Sequence, residues 1–356
     1  MEKFCVFCGN KPENKNLEHI IPEWLIKLTG DFDRLIKIGP IWDSKNGQLS
    51  NRDFNFSNFS FPSCKACNDN YANLEGQVST IARNILLENP ISSEEFSTFL
   101  TWFDKVRVGL WLAYHYLQKN TVTINPHYHI TKRIDKTDRA LFIYKSDFIG
   151  QRLFFIGATL PIFQYNPCCF GLVINNFYFL NISNHFLVSR RLGLPFATKQ
   201  TYTENDTNLI AVRGGKCKII HPILRNPISL NGSIILQPII PHEIGIKSEF
   251  HDVGFIKNNF TFNEKGIGDI FLENNSINDN YSSLNKTDWI PKKTHNDNNL
   301  YYEFVKGILE RQISMANNVS YGQISERKKK TIKRENDFAK QISRKILKIV
   351  EQPNDQ

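Results

Sequence analysis

Two short stretches decide the fold of the first part of the chain: Cys64-Lys65-Ala66-Cys67-Asn68 and, earlier, Cys5-Val6-Phe7-Cys8-Gly9. Each contains a Cys-x-x-Cys pair, and four thiolates grouped in two such pairs suit tetrahedral zinc. The pairs are farther apart than in a compact zinc ribbon, so the chain between them must loop out and return. A thioredoxin-like redox role is disfavoured because neither pair lies in a βαβ pattern. We therefore predict one structural zinc bound by Cys5, Cys8, Cys64 and Cys67.

The segment between the two pairs carries polar residues suited to chemistry. It contains Leu17-Glu18-His19-Ile20-Ile21-Pro22-Glu23-Trp24-Leu25. Neighbouring side chains on a strand point to opposite faces, so Glu18 and His19 can serve one site only at a strand end, and the proline favours that position. Further along, the phenylalanines of Asp53–Phe61 predict a second strand with a bulge at Ser57-Asn58.

A helix is predicted after the last cysteine of the second pair, because apolar residues recur every three or four positions from Tyr71 to Ile85. A Glu-His pair opens a β-branched segment that a proline stops, lies between the two cysteine pairs and is followed by a Cys-x-x-Cys-Asn helix start. These elements, in that order, resemble the HNH, or His-Me finger, endonucleases. The resemblance covers residues 3–76, about a fifth of the chain. It implies an N-terminal ββα-metal (HNH) unit built on a four-cysteine zinc site.

The resemblance also implies catalytic roles. His19 matches the general base that takes a proton from the water attacking the scissile phosphorus. Glu18 and Asn68 match the ligands of a single divalent ion, and hard oxygen ligands suit Mg²⁺ or Mn²⁺. The family's further histidine on this helix is absent, since Ala72 stands there, so only the Asn-type variant applies.

Other positions are assigned on the same basis. The family's middle asparagine braces the histidine loop from the second strand, and Asn58 is the first candidate with Asn55 as the alternative; either is otherwise a turn residue. Glu75 shares a helix face with Asn68 at about 10 Å of axial rise. An auxiliary site residue and a plain surface acid are equal alternatives for Glu75. Asp69 fits a charge at the helix start.

The middle of the chain gives structural predictions only. A broad apolar face from Glu94 to Gln118 predicts a packing helix. Lys105 and Arg107 are expected on a solvated face of that helix, with phosphate contact as the alternative. Short β-rich runs follow from Ala140, and Asn175-Asn176 predicts a hairpin turn because asparagine tolerates positive φ.

The predicted fold class is α+β, in five parts. They are an HNH nuclease domain with a four-cysteine zinc site at 1–92, a helical connector at 93–135, a β-rich domain of unknown role at 136–257, a polar linker at 258–300 and a basic helical C-terminus at 301–356.

Net charge favours a polyanionic partner. The chain has 44 Lys and Arg against 35 Asp and Glu, a formal charge of +9. Residues 325–348 hold ten basic and three acidic residues, hence +7, whereas residues 1–90 hold ten and eleven, hence −1. Because residues 1–90 are nearly neutral, the cations that bind DNA phosphates must lie elsewhere in the chain. The apolar spacing of 325–348 predicts a basic amphipathic helix that could supply them.

These observations predict a metal-dependent HNH endonuclease that hydrolyses phosphodiester bonds in DNA. Family analogy links such modules to restriction, mobile elements and phage defence. The alternatives are a zinc-stabilised nucleic-acid-binding protein without cleavage, and an RNA nuclease. No apolar stretch is long enough to span a bilayer and no signal peptide is visible, so the expected location is cytoplasmic, with no membrane partner.

Overall fold

The computed structural model describes residues 4–12, 16–43, 48–55, 60–117, 130–134, 137–184, 187, 189, 196–202, 207–213, 232–239, 271–273, 293–317 and 325–351. Within these ranges the chain is a mixture of helices and strands, which agrees with the α+β class. No helix in the described ranges combines the length and the apolar composition needed to cross a bilayer.

Within the described residues, the first part of the chain contains four strands, one short helix and two long helices. Its elements are β1 (Asn16–His19), α1 (Glu23–Leu28), β2 (Leu35–Asp43), β3 (Gln48–Asn55), β4 (Ser60–Ser63), α2 (Lys65–Leu86) and α3 (Ser93–Leu117). The helix predicted after the second cysteine pair and the packing helix after it are both confirmed.

The rest of the described chain is richer in strands. Its elements are α4 (Ile130–Arg133), β5 (Asp138–Ser146), β6 (Leu153–Ile156), α5 (Pro161–Tyr165), β7 (Cys169–Ile174), β8 (Phe177–Asn184), β9 (Phe196–Tyr202), β10 (Thr207–Arg213), β11 (Ser233–Gln237), β12 (Phe271–Glu273), β13 (Thr294–His295), α6 (Asp297–Ala316) and α7 (Glu326–Glu351). Asn175 has φ of 52° between β7 and β8, so the predicted asparagine hairpin is confirmed.

Nine of the described strands form one sheet. Its order is β12-β11-β5-β8-β7-β6-β2-β3, and β13 pairs with β5. β2 runs parallel to β6, with Lys37 opposite Phe154. Strands from the N-terminal part and from the β-rich part therefore share a sheet across the expected boundaries at 92 and 136. β1 and β4 form a separate antiparallel pair.

Helices cover both faces of the large sheet. On one face Phe99 and Phe103 of α3 pack against Phe179, in a core that also includes Ile20 just after β1 and apolar residues of β4 and α2. On the other face Phe304 of α6 packs against Tyr178, and α7 lies on α6. The elements that carry the two cysteine pairs and α7 thus belong to opposite sides of the sheet.

Two details differ from the sequence prediction. The continuous strand predicted over Asp53–Phe61 is wrong: β3 ends at Asn55 and pairs with β2, whereas β4 begins at Ser60 and pairs with β1. The bulge predicted at Ser57-Asn58 lies outside the described residues. The phenylalanine alternation did not reveal that the two halves have different partners. In the stretch predicted as a polar linker, the described residues include β12, β13 and the first turn of α6.

A close helix contact supports β1. A Cβ added to Gly109 of α3 would lie 2.7 Å from Cδ1 of Ile20 and 2.9 Å from its Cγ2. Ile20 directly follows His19 and is 1% exposed, so it has little room to move. The glycine therefore sets how closely α3 approaches the end of β1.

Gly109→Ala is expected to destabilise the protein by about 1–3 kcal/mol, the usual scale for overpacking a core. Gly76→Ala is the matched control, since Gly76 is also helical and a Cβ there meets nothing within 4 Å. That control should gain up to about 1 kcal/mol from helix propensity. Urea unfolding of both variants measures the difference, and an equal gain for the two would contradict the contact.

Candidate functional site

The two Cys-x-x-Cys pairs converge in the structure. All four Sγ atoms of Cys5, Cys8, Cys64 and Cys67 lie within 4.8 Å of one another. The first pair lies in a loop before β1, where the N–H of Gly9 donates to the carbonyl of Cys5 at 2.9 Å. The second pair begins α2, and the N–H of Cys64 donates to Sγ of Cys5 at 3.2 Å.

The sulfur cluster fits a tetrahedral thiophilic ion. Tetrahedral zinc with Zn–S of about 2.3 Å has S–S edges of about 3.8 Å, and the Sγ atoms of Cys8 and Cys64 are 3.8 Å apart. Burial, with neighbouring sulfurs adding to it, raises the pKa of Cys64 to about 11 and that of Cys67 to about 12. Burial also opposes ionisation of Cys5, but N–H donors, led by Cys8 and Cys64, outweigh it and lower its pKa. A bound cation would favour the thiolate form that these raised pKa values oppose. The convergence of the four Sγ atoms is what indicates that the cluster could hold a metal such as zinc.

β1 places the predicted acid and base at a strand end. Glu18 pairs with Phe61 and His19 with Ser60 of β4, and the strand stops at His19. Glu18 is 8% exposed and points into the core, whereas His19 is half-buried. β4 leads directly into Cys64 and α2. The sulfur cluster therefore lies where the β1–β4 strand pair meets the helix.

Burial sets the state of the His19 imidazole. It lowers the pKa of His19 below the usual 6.5, while the charges of Glu18 and Glu23 raise it in part. The imidazole is therefore neutral at pH 7, which is the state that can accept a proton.

Glu18 forms a buried ion pair that the sequence did not reveal. Nζ of Lys105 lies 2.6 Å from Oε1 of Glu18 and also bonds Oε1 of Glu75. Glu75 is not a plain surface acid: burial raises its pKa, Lys105 opposes that shift, and the nearby Glu18 charge adds to it.

The expected solvated face for Lys105 and Arg107 is wrong. Lys105 is 1% and Arg107 5% exposed. Arg107 donates to Asp104 at 2.8 Å and to the carbonyl of Pro167 at 2.6 Å. Both cations are stable inside the protein because each has compensating acids or carbonyls.

The remaining predicted site residues are distributed as follows. Asn68 lies half-buried in the first turn of α2, and its N–H donates to the carbonyl of Cys64 at 3.0 Å. Asp69 is exposed and pairs with Lys65 at 2.6 Å, as a helix-start charge does. Asn58 lies outside the described residues. Asn55 is the exposed last residue of β3, which is not the partner of β1.

Among the described residues, the sulfur cluster is the one group of three or more His, Cys, Asp or Glu ligand atoms close enough to share an ion. Glu18, His19 and Glu75 do not form a second such group. An ion at Glu18 would need further ligands from Asn68, water or substrate.

Comparison with known proteins adds no assignment: no protein-family model, curated protein or solved structure matches the chain. The function must be inferred from the residues and their geometry.

The His19 imidazole is expected to titrate with a midpoint below 6.5, because burial outweighs the two nearby acids. A pH titration followed by NMR, with His19→Gln to assign the signal, measures the midpoint. Glu23→Gln should lower it further, since the Glu23 charge raises the pKa of His19. A midpoint above 6.5 in the folded protein would contradict the description of this pocket.

Proposed function

We propose that the chain is a metal-dependent endonuclease of the HNH type that hydrolyses phosphodiester bonds in DNA. One observation carries the proposal: β1 ends in Glu18 and His19, pairs with β4, and β4 leads into the Cys64–Cys67 helix start with Asn68. This order of strand, strand and helix on a sulfur cluster supports the resemblance found in the sequence.

His19 is the proposed general base. Its imidazole is partly accessible and neutral near pH 7, so it can take a proton from a water molecule beside a bound phosphodiester. Glu18 and Asn68 offer a carboxylate and an amide oxygen, which suit Mg²⁺ or Mn²⁺. When bound there, such an ion would stabilise the charge that develops on the phosphate and on the leaving 3′ oxygen.

Zinc is the proposed occupant of the sulfur cluster, in a structural role. Cys5 and Cys8 come from a loop outside the described helices and strands, and Cys64 and Cys67 come from the start of α2. Because structural zinc sites commonly supply folding free energy outright, the ion would hold this loop against the helix.

Metal analysis of the purified chain should find one zinc, and Cys64→Ser should lose it together with a large drop in melting temperature. The drop in melting temperature should be large because structural zinc contributes on the order of 10 kcal/mol to the folding of small zinc-finger units. Cys168→Ala is the control, because Cys168 is buried outside the cluster and its variant should keep the zinc. Full zinc content in Cys64→Ser would reject the site.

His19→Ala should reduce divalent-dependent cleavage by at least about a hundredfold, the scale of losing a general base. Supercoiled plasmid and structured RNA, each with and without Mg²⁺ or Mn²⁺, are the substrates. Asp69→Ala, which removes an exposed acid of α2 outside the proposed site, should cleave like the wild type.

The outcomes separate the candidate functions. Undiminished cleavage by folded, zinc-loaded His19→Ala would reject the mechanism. Cleavage of the RNA alone would assign an RNA nuclease. Binding of DNA without cleavage under any metal would assign the zinc-stabilised binding protein, a candidate favoured by one observation: Glu18 is buried against Lys105.

The exposed face of α7 is the proposed DNA-binding surface. Apolar side chains of α7 such as Ile342 and Ile346 pack on the core. The opposite face exposes seven basic residues: Arg327, Lys330, Lys333, Arg334, Arg344, Lys345 and Lys348. None of these seven forms an ion pair with another described residue, so their charge is available to phosphates.

The proposed DNA-binding face of α7 lies apart from the proposed catalytic residues. It packs on α6, on the sheet face opposite the one that carries β1 and α2. Substitutions on α7 should therefore weaken DNA affinity without changing the cleavage rate of bound DNA.

Replacing Lys330, Arg334, Arg344 and Lys345 with glutamine should flatten the slope of log affinity against log salt by about three to four, if each contacts one phosphate. Substitution is a cleaner test than deletion, since deleting α7 would also uncover buried side chains. The control is Lys329→Gln with Lys340→Gln, two lysines paired with Glu326 and Asp337. Identical slopes for the four-residue variant and the wild type would show that α7 does not touch DNA.

A further inference from the structure

The ammonium of Lys105 lies in the core where α3 meets β1 and α2. Nζ donates to Oε1 of Glu18 at 2.6 Å and also to Oε1 of Glu75. The side chain of Lys105 is 1% exposed, against 10% for Glu18 and 18% for Glu75. An ammonium removed from water this completely needs compensating charge, so the lysine and the two carboxylates form one unit.

The same ammonium faces two aromatic rings that flank the sulfur cluster. It lies 5.6 Å from the ring centroid of Phe7 and 5.7 Å from that of Tyr71. These two rings stack on each other at 4.2 Å. Phe7 stands inside the first Cys-x-x-Cys pair and Tyr71 follows the second by one helical turn. Lys105 therefore connects both halves of the sulfur cluster to the end of β1.

We propose that Lys105 is a positioning residue of the nuclease site: it binds Oε1 of Glu18 and thereby fixes the carboxylate with Oε2 left for the divalent ion. This inference rests on the proposed function. Glu18 makes no other side-chain hydrogen bond within the described residues, so Lys105 alone among them orients its carboxylate. At 1% exposure Lys105 touches no substrate and acts only through Glu18.

The opposite role for the same contact is competition. A lysine between two acids can occupy the place of a divalent ion, and its removal would then free both carboxylates to bind the ion more tightly. Positioning predicts the reverse, because a ligand that loses its supporting partner typically loses about 10–100-fold in metal affinity or activity. The sign of the change in Mn²⁺ affinity distinguishes the two roles.

The experiment titrates Mn²⁺ into the zinc-loaded full chain without DNA and follows free Mn²⁺ by electron paramagnetic resonance. Lys105→Gln is expected to raise the Mn²⁺ dissociation constant about 10–100-fold, with zinc content and DNA affinity unchanged. Single-turnover cleavage should fall over the same range. Lys145→Gln, which loses an ion pair with Glu88 just beyond α2, is the matched control and should bind Mn²⁺ like the wild type.

A second variant guards against misfolding. Lys105→Gln combined with Glu75→Gln removes one positive and one negative charge, so the net charge of the unit is that of the wild type. It should fold and show the same loss of Mn²⁺ affinity.

Each outcome has one meaning. Weaker Mn²⁺ binding and slower cleavage by a folded Lys105 variant support positioning. Unchanged or tighter Mn²⁺ binding, with a wild type that cleaves, overturns the role of Lys105 and leaves the proposed function intact. A wild type that neither binds Mn²⁺ nor cleaves overturns the proposed function and this inference together.

Discussion

The structure of the N-terminal part depends on closure of the sulfur cluster, which joins a loop before β1 to the start of α2. The N–H of Cys64 reaches Sγ of Cys5 across 59 positions of sequence, and everything between them must leave and return through this point. Because the cluster brings the two segments together, β1 and β4 can form an antiparallel pair. The chain between them runs out through α1 to β2 and β3, which add to the edge of the large sheet. A single junction thus fixes the strand that carries His19 against the helix that carries Asn68.

Buried charge makes this arrangement specific. α3 carries Asp104, Lys105 and Arg107, all nearly inaccessible, in the middle of a helix whose other buried residues are apolar. Asp104 accepts from Arg107 at 2.8 Å and from Arg139 of β5 at 3.3 Å, which ties the helix to the sheet. Lys105, on a neighbouring side of the same helix, binds Glu18 and Glu75. Removing one partner of such a pair costs on the order of 3–5 kcal/mol, so wrong packings of α3 are strongly disfavoured.

The features that follow local rules could be predicted from the sequence. The cysteine pairs, the apolar periods of α2 and α3, the Asn175 hairpin and the end of β1 before Pro22 each depend on a few neighbouring residues. Long-range choices could not be predicted. Nothing local reveals that β2 pairs with β6, or that β3 and β4 have different partners. Lys105 was missed because hydrophobic periodicity assigns lysine to solvent, whereas its partner Glu18 lies 87 positions away. The local signal of its burial is that Lys105 stands three residues after Trp102, between apolar neighbours on the same face of α3.

In the proposed site, a neutral histidine at the end of β1 and a carboxylate bound by a buried lysine belong to the same part of the fold as a sulfur cluster that could hold a metal. The proposed mechanism requires that water attacks the phosphorus and that the 3′ oxygen of the DNA leaves. Cleavage of DNA in ¹⁸O-labelled water, followed by mass analysis of the new ends, tests this claim most directly. We expect 3′-hydroxyl ends and 5′-phosphates that carry one ¹⁸O atom from the water. Ends with 3′-phosphates, 5′-phosphates without the label, or no cleavage with any divalent ion would contradict it.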